Sequence, residues 1–248
     1  FLKYLLVMPE LPEVEVVRKF LNAQIVEKKI YKILVINKKL RYNIPTLLNK
    51  KLSGLIITKI LRRGKYLILL FNYNYSLLIH LGMTGYFRIS HTDKTIKHDH
   101  LIFDFKEKKL IFNDIRKFGF IKLFNLDDIF NSSHLQKIGM DPFSKKFNYK
   151  FFKNNLRKSL DIKTLLMNQS FIAGLGNIYC SEILFDAKVN PLRKSETLTS
   201  AEVKKIISST IKILAKAINF GGTKIKNFIV SDEKIGYFKN ELKVYSRN

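Results

Sequence analysis

The sequence predicts an α+β protein, with a β-sandwich or barrel in its first half and helices in its second. Three observations carry that expectation. Short apolar runs bounded by turn residues recur from about residue 30 to 124. After about residue 125 the texture changes to longer segments with helical periodicity. The 248 residues, 46% of them hydrophobic, suffice for two cores. A strand-rich half followed by a helical half implies two domains, and a cleft between domains is the natural place for a ligand.

The elements follow in chain order. Leu11, Val14, Val17, Leu21 and Ile25 have helical spacing, so a helix is expected over 11–28. Pro12 is tolerated in its first turn, and Glu13 and Glu15 suit the positive end of its dipole. The runs IYKILVI, LSGLIITKILRR, KYLILLF, SLLIHLGM, GYFRIS, HLIFDF, KLIFND and GFIKLF read as eight strands. NYKFFKNNLRK, IKTLLMNQ, NIYCSEILFDAK and TSAEVKKIISSTIKILAKAINF read as helices. The last places Val203, Ile206, Ile207, Thr210, Ile211 and Leu214 on one face, with lysines mostly opposite. No repeat or low-complexity linker separates the halves, so the junction over 126–147 is expected to be short and ordered.

Charge narrows the partner. Lys and Arg number 45 against 20 Asp and Glu, a formal charge of +25, which points to a polyanion and first of all to nucleic acid. The single cysteine, Cys180, excludes an intrachain disulfide framework and a thiolate metal cluster. It fits a reducing cytoplasm. No apolar run approaches the roughly 20 residues that span a bilayer, and FLKYLLV lacks the flanks of a secretory signal.

Met8 poses the central question of the sequence. If it is the initiator, its removal before proline leaves Pro9 with a free secondary amine. Such α-amino groups titrate near pH 8, so a fraction is unprotonated at neutral pH and nucleophilic. Glu10 beside it can supply a proton. The competing reading is that Pro9 and Pro12 merely open a helix. The KHDH run at 97–100 crowds two histidines and an aspartate, yet on a strand His98 and His100 share a face while Asp99 points away. No cysteine is near, and a metal is not expected there.

Several motifs in order decide between the readings: MPELPEVE at 8–15, RRGKYL at 62–67, HLGMTG at 80–85, KHDH at 97–100, DIRKFG at 114–119, AGLGNIYCSE at 173–182 and GGTKIKNF at 221–228. Together they resemble the formamidopyrimidine-DNA glycosylases, from Met8 to the end of the chain. Leu11 favours that family over the related endonuclease VIII group, which typically carries glycine there.

The resemblance implies a two-sheet β-sandwich with the N-terminal helix packed on it over 8–125, and a helix-two-turns-helix DNA-binding domain over 148–248. It implies a bifunctional glycosylase and lyase for oxidised purines in base excision repair, acting on damaged double-stranded DNA as a cytoplasmic, nucleoid-associated monomer. Pro9 would attack the anomeric carbon and form a Schiff base. Glu10 would protonate the departing sugar oxygen, and Lys65, expected at a strand start, would assist β-elimination. His98, Arg116, Lys163 and Asn177 would contact DNA, the last from a glycine-rich turn whose N–H groups face an anion. Met83, Arg116 and Phe118, the latter two on one strand face, would fill the gap left by a flipped lesion. Glu13 and Glu182 would support the site from behind. The segment from Gly221 to Phe238 would cover the flipped base.

The sequence also departs from the family. Its relatives usually continue into a four-cysteine zinc finger, so a structural Zn²⁺ is expected only in that missing finger and no cofactor is expected for the chemistry. Residues 1–7 are expected to be a non-native upstream extension and the tail to be truncated. A basic position often filled by lysine falls on Ser159, beside Arg157 and Lys158. Two further functions stand beside the first: an endonuclease VIII-type glycosylase for oxidised pyrimidines, and an inactive damaged-DNA-binding module if residues 1–8 are retained, since Pro9 would then be an amide. An unrelated basic RNA-binding protein does not account for the ordered motif series. If lysines hold DNA phosphates, affinity falls steeply with salt, with a log–log slope of about −0.9 per neutralised phosphate. A flat response in a salt titration of duplex binding would remove the charge argument.

Overall fold

The short apolar runs of the first half form two antiparallel sheets rather than a closed barrel. The computed structural model describes residues 8–156, 159–223 and 237–245. Strands β1 (Lys32–Val35), β6 (Asp99–Asp104), β7 (Lys109–Asn113) and β5 (Tyr86–Ser90) form one sheet in the order β1-β6-β7-β5. Strands β2 (Ile57–Arg63), β3 (Tyr66–Phe71), β4 (Ser76–His80) and β8 (Phe120–Phe124) form the other, in the order β2-β3-β4-β8. All eight expected strands are present. Leu67, Leu69, Leu77 and Ile79 from one sheet and Leu101, Phe103, Leu110 and Phe112 from the other share a buried core.

Helix α1 (Leu11–Ile25) is slightly shorter than expected and packs against β2. Helix α2 (Leu48–Leu52) is absent from the sequence reading because LNKKL is too short to display a period. The second half holds α3 (Tyr149–Asn154), α4 (Ile162–Met167), α5 (Asn177–Ala187) and α6 (Ser200–Asn219). Thr199 and Glu202 form a reciprocal capping box at the start of α6. The buried face of α6 differs from the expected one. Val203, Ile206, Thr210 and Leu214 are buried as anticipated, joined by Ile213 and Ala217, while Ile211 is exposed and Ile207 only partly covered. The face turns this way because α6 packs against both α5 and α1.

The two cores meet at α1. Val14, Val17, Leu21 and Ile25 lie in the sandwich core, whereas Leu11, one turn earlier, lies in the core of the helical domain with Ile172, Leu175 and Tyr179. The Leu11 N–H donates to the Gly174 carbonyl at 2.9 Å. The end of β2 adds a polar tie to the junction. Arg62 bridges Glu15 at 2.9 Å and Asp141 at 3.0 Å, and Arg63 donates to the carbonyls of Ile138 and Gly139 at 2.7 and 2.6 Å. Truncating Leu11 to alanine opens a void where the cores join and is expected to cost about 2–5 kcal/mol. Denaturant unfolding measures it, and an unchanged midpoint would show that Leu11 does not join the cores.

Candidate active site

The start of α1 places two carboxylates against the start of α5. Glu10 precedes the first turn of α1 and is 3% exposed. Its carboxylate accepts from the N–H groups of Gly176 at 2.6 Å, Ile178 at 3.0 Å and Tyr179 at 3.5 Å. These are orphan donors at a helix N-terminus, where an anion is favoured. The close approach requires glycine, because a Cβ on residue 176 would stand 2.4 Å from Glu10 Oε1. The N–H groups of Gly176, Ile178 and Tyr179 are thus turned inward onto the Glu10 carboxyl. Asn177, the first residue of α5, remains exposed beside it.

Glu13, one turn further along α1, is also buried. It accepts from the Glu10 N–H at 2.9 Å, the Tyr179 hydroxyl at 2.7 Å, and the N–H and hydroxyl of Thr223 at 2.8 and 2.9 Å. Burial raises the pKa of both carboxyls. For Glu10 burial is the main cause, opposed by the charge of Lys65, reinforced by that of Glu13 and opposed again by the N–H bonds of α5. The result is a pKa of about 7.

Lys65 lies in the hairpin turn between β2 and β3, immediately before β3 rather than on it. Its neighbour Gly64 packs against Ala173 and Gly174, so the turn is applied to the same segment that receives Leu11. Lys163 is the second residue of α4 and lines a cavity of about 410 Å³ with Leu184, Phe185, Lys188 and Val244. Burial holds the Cys180 thiol well above its ordinary pKa and the Glu10 charge adds to this, while Lys65 and Lys163 oppose it. Both lysines thus act electrostatically on the first turn of α5. Pro9 is buried next to Glu10, and in this chain its nitrogen is the amide joined to Met8.

Of the four residues assigned from strand alternation, His98, Arg116 and Phe118 lie off the strands and only His100 is on one. His98 is in a turn with φ 71°, ahead of β6, so it shares no strand face with His100. His100 is buried, with its ring nitrogens at 3.0 Å from the Asn37 carbonyl and 2.9 Å from the Asp114 carbonyl. Arg116 and Phe118 are in the loop between β7 and β8 rather than on a strand, yet the Arg116 guanidinium lies over the Phe118 ring at 4.8 Å. Met83 is in the loop between β4 and β5. Glu182 does not back the Glu10 site. It accepts the N–H groups of Lys243, Val244 and Tyr245 at 2.8, 2.9 and 2.8 Å and so anchors the C-terminal segment. Arg157 and Lys158 and most of the Gly221–Phe238 segment lie outside the described residues.

Sequence reasoning missed Tyr179, Thr223, Arg62 and Asp114 as organising groups. Each lies inside one of the motifs AGLGNIYCSE, GGTKIKNF, RRGKYL and DIRKFG, but nothing local marks its partner. The chain's one cysteine is buried in the helical core, and among the described residues no cluster of three or more His, Cys, Asp or Glu could hold a metal ion. A four-cysteine zinc site does not fit the residues present.

Residues 8–121 match the formamidopyrimidine-DNA glycosylase N-terminal domain, and residues 138–229 match the formamidopyrimidine-DNA glycosylase H2TH domain. The chain belongs to the formamidopyrimidine-DNA glycosylase family. Relatives of that name from Rickettsia africae and Rickettsia conorii are 40% and 41% identical over 243 residues, covering 97% of this chain and 89% of each relative. Among solved structures, a Lactococcus lactis Fpg mutant with Fapy-dG-containing DNA has a TM-score of 0.87 at 38% identity, over 96% of this chain and 88% of that one. The Lactococcus lactis Fpg with abasic-site DNA gives the same TM-score and identity, over 95% and 88%. Within this family fold no helix among the described residues is long and apolar enough to cross a membrane.

A folded-state pKa near 7 for Glu10, above its unfolded value of about 4.5, fixes the sign of a pH effect. Between these values the folded state binds more protons than the unfolded one. The stability from this group is therefore full below pH 4.5 and declines as pH rises to about 7, by on the order of 3 kcal/mol. Carbon NMR of the Glu10 carboxyl should show a midpoint near 7, with the decline reduced in Glu10→Gln. A midpoint at the ordinary carboxylate value would refute the assignment.

Proposed function

We propose that this chain excises oxidised purines from duplex DNA and cleaves the resulting abasic strand, with Pro9 as nucleophile. The observation that carries the reading is the Glu10 carboxyl, held at the start of α5 with a pKa of about 7, directly beside the proline that would present the amine. A general acid works best when its pKa lies near the working pH. Family membership and the DNA-bound relatives support the substrate class.

In this reading the unprotonated Pro9 amine attacks C1′ of the damaged nucleotide, the bond to the base breaks, and the base leaves with the proton that the alkylated Pro9 nitrogen gives up. Glu10 donates its proton to the ring oxygen O4′ as the C1′–O4′ bond opens, leaving an iminium between Pro9 and C1′. The iminium acidifies C2′, whose proton is lost as the 3′ phosphate departs. A second elimination expels the 5′ phosphate, and water then releases the proline. Lys65, whose charge acts on Glu10, would steady the carboxylate that forms and assist proton transfer; that electrostatic influence supports the role. Met83, Arg116 and Phe118 are the residues that would occupy the gap, and His98, Lys163 and Asn177 would meet DNA. Glu13 would hold the Glu10 backbone in place.

Borohydride reduction tests the nucleophile directly. A chain beginning at Pro9, incubated with duplex containing oxidised guanine, should give a covalent protein–DNA adduct. The 1–248 chain, whose Pro9 nitrogen is an amide, should bind the duplex and give none. An adduct from an intact 1–248 chain would overturn Pro9 as nucleophile, and DNA binding without an adduct from the shorter chain would favour a binding module.

A further inference from the structure

Asp114 is fully buried and stands among the loops that carry Met83, His98, Arg116 and Phe118. One carboxylate oxygen accepts from the Thr84 hydroxyl, and the other accepts from the Gly119 N–H at 2.8 Å. The Asp114 N–H donates to the His98 carbonyl at 3.1 Å. The Thr84 hydroxyl in turn accepts from the Arg116 N–H at 3.0 Å. Thr84 follows Met83 directly, so one hydroxyl and one carboxylate join the Met83 loop to both ends of the 116–119 loop. Gly82, at φ 65°, presses the two loops together. A Cβ there would stand 2.5 Å from the Phe118 carbonyl carbon and 2.4 Å from the Gly119 nitrogen.

We propose that the Asp114–Thr84 pair is a latch that positions Met83, Arg116 and Phe118 as one preformed wedge for the gap left by a flipped nucleotide. This rests on the reading of those three side chains as gap-filling residues. The geometry favours a positioning role because the latched loops lie side by side yet expose their tips: Phe118 is 46% exposed, with the Arg116 guanidinium stacked over it. Side chains that must enter an unstacked step together gain most from being ordered beforehand, since the ordering cost is not then taken from the binding energy. The latch uses neither Glu10 nor Lys65, so its effect falls on lesion engagement and not on the amine chemistry.

Binding alone can test this, with the full 1–248 chain and no dependence on the Pro9 amine. One duplex carries a tetrahydrofuran abasic analogue opposite 2-aminopurine, whose emission reports the stacking of the orphaned base. An intact duplex of the same sequence is the control. The wild-type chain should prefer the abasic duplex and change its emission. Thr84→Val, which keeps the shape but removes the hydroxyl, should lose roughly tenfold of that preference, about 1.4 kcal/mol, with a blunted emission change and unaltered affinity for the intact duplex. Thr84→Ser should restore both. Thr84→Ala, which also lacks the hydroxyl, provides a second variant if Thr84→Val folds poorly, and should show the same loss of preference and blunted emission change.

Equal preference and equal emission change in Thr84→Val and wild type would overturn the latch while leaving the gap-filling reading intact. A parallel loss of affinity for both duplexes, not restored by serine, would reduce the pair to a general structural contact and overturn it as well. A wild-type chain that shows no emission change and no preference for the abasic duplex would overturn the gap-filling reading itself, and the latch with it.

Discussion

The contact between the Glu10 carboxylate and the N-terminus of α5 is the constraint on which the arrangement of the site depends. It joins residues 166 to 169 positions apart in the chain, and it joins them inside the protein. Taking a carboxylate out of water costs several kcal/mol, while a helix N-terminus returns about 0.3–2 kcal/mol, supplemented by the charge-assisted N–H bonds. The balance leaves the charged form disfavoured, which is why the pKa rises even though three N–H groups face the carboxylate. A group so balanced exchanges a proton at neutral pH while its position stays fixed. That combination of mobility of charge and immobility of atoms is what an acid at a reacting centre needs.

Glu13 extends the same principle by one turn. Two carboxylates three residues apart share a helix face and repel each other, and the charge of Glu13 is one of the influences raising the Glu10 pKa. Each is tolerated because it has its own donors. Those of Glu13 come from Tyr179 on α5 and Thr223 beyond α6, so the second carboxylate draws the exit of α6 toward the same point. Arg62 and Arg63 tie the end of β2 to residues 138–141, next to the turn that carries Lys65. The lysine, the two carboxylates and the helix start are therefore located by a mesh of buried polar contacts drawn from both domains.

The strand pattern was legible because several strands are buried along nearly their whole length, so short apolar runs in the sequence map onto burial. It failed where side chains override it. His98 leaves the strand because buried Asp99 accepts the Ile96 N–H and an Asn113 amide hydrogen and pairs with Arg88, closing the chain into a turn before β6 begins. Arg116 and Phe118 alternate in sequence as a strand would, but Asp114 turns the chain back on the Gly119 N–H and ends β7 first. Glu182 is expected behind the site because it shares a helix with the glycine-rich turn and Asn177. That turn meets Glu10, whereas Glu182 faces residues 243–245, a distinction that only the tertiary fold makes. The motif series brought Pro9, Glu10, Lys65 and Asn177 into one account, and it contains Tyr179 and Thr223 as well, but their bonds to Glu13 span 166 and 210 positions and have no local signature.

Helix α1 shows why the position of Pro9 and Glu10 is so closely determined. Leu11, Val14, Val17, Leu21 and Ile25 form one continuous stripe, yet the first of them seats in the helical core and the rest in the sandwich. A helix is nearly rigid over four turns, so neither core can shift its end of the stripe without disturbing the other. Pro9 and Glu10 directly precede that stripe, and Glu10 is held on α5 while the Leu11 N–H is held on Gly174. Chain termini ordinarily fray; here the residues that would open the mature chain are fixed by packing at the seam of two domains. A nucleophile displaced by about 1 Å can forfeit about a hundredfold in rate. The same packing that stabilises the seam thus determines where an amine on Pro9 would stand relative to Glu10 and Lys65.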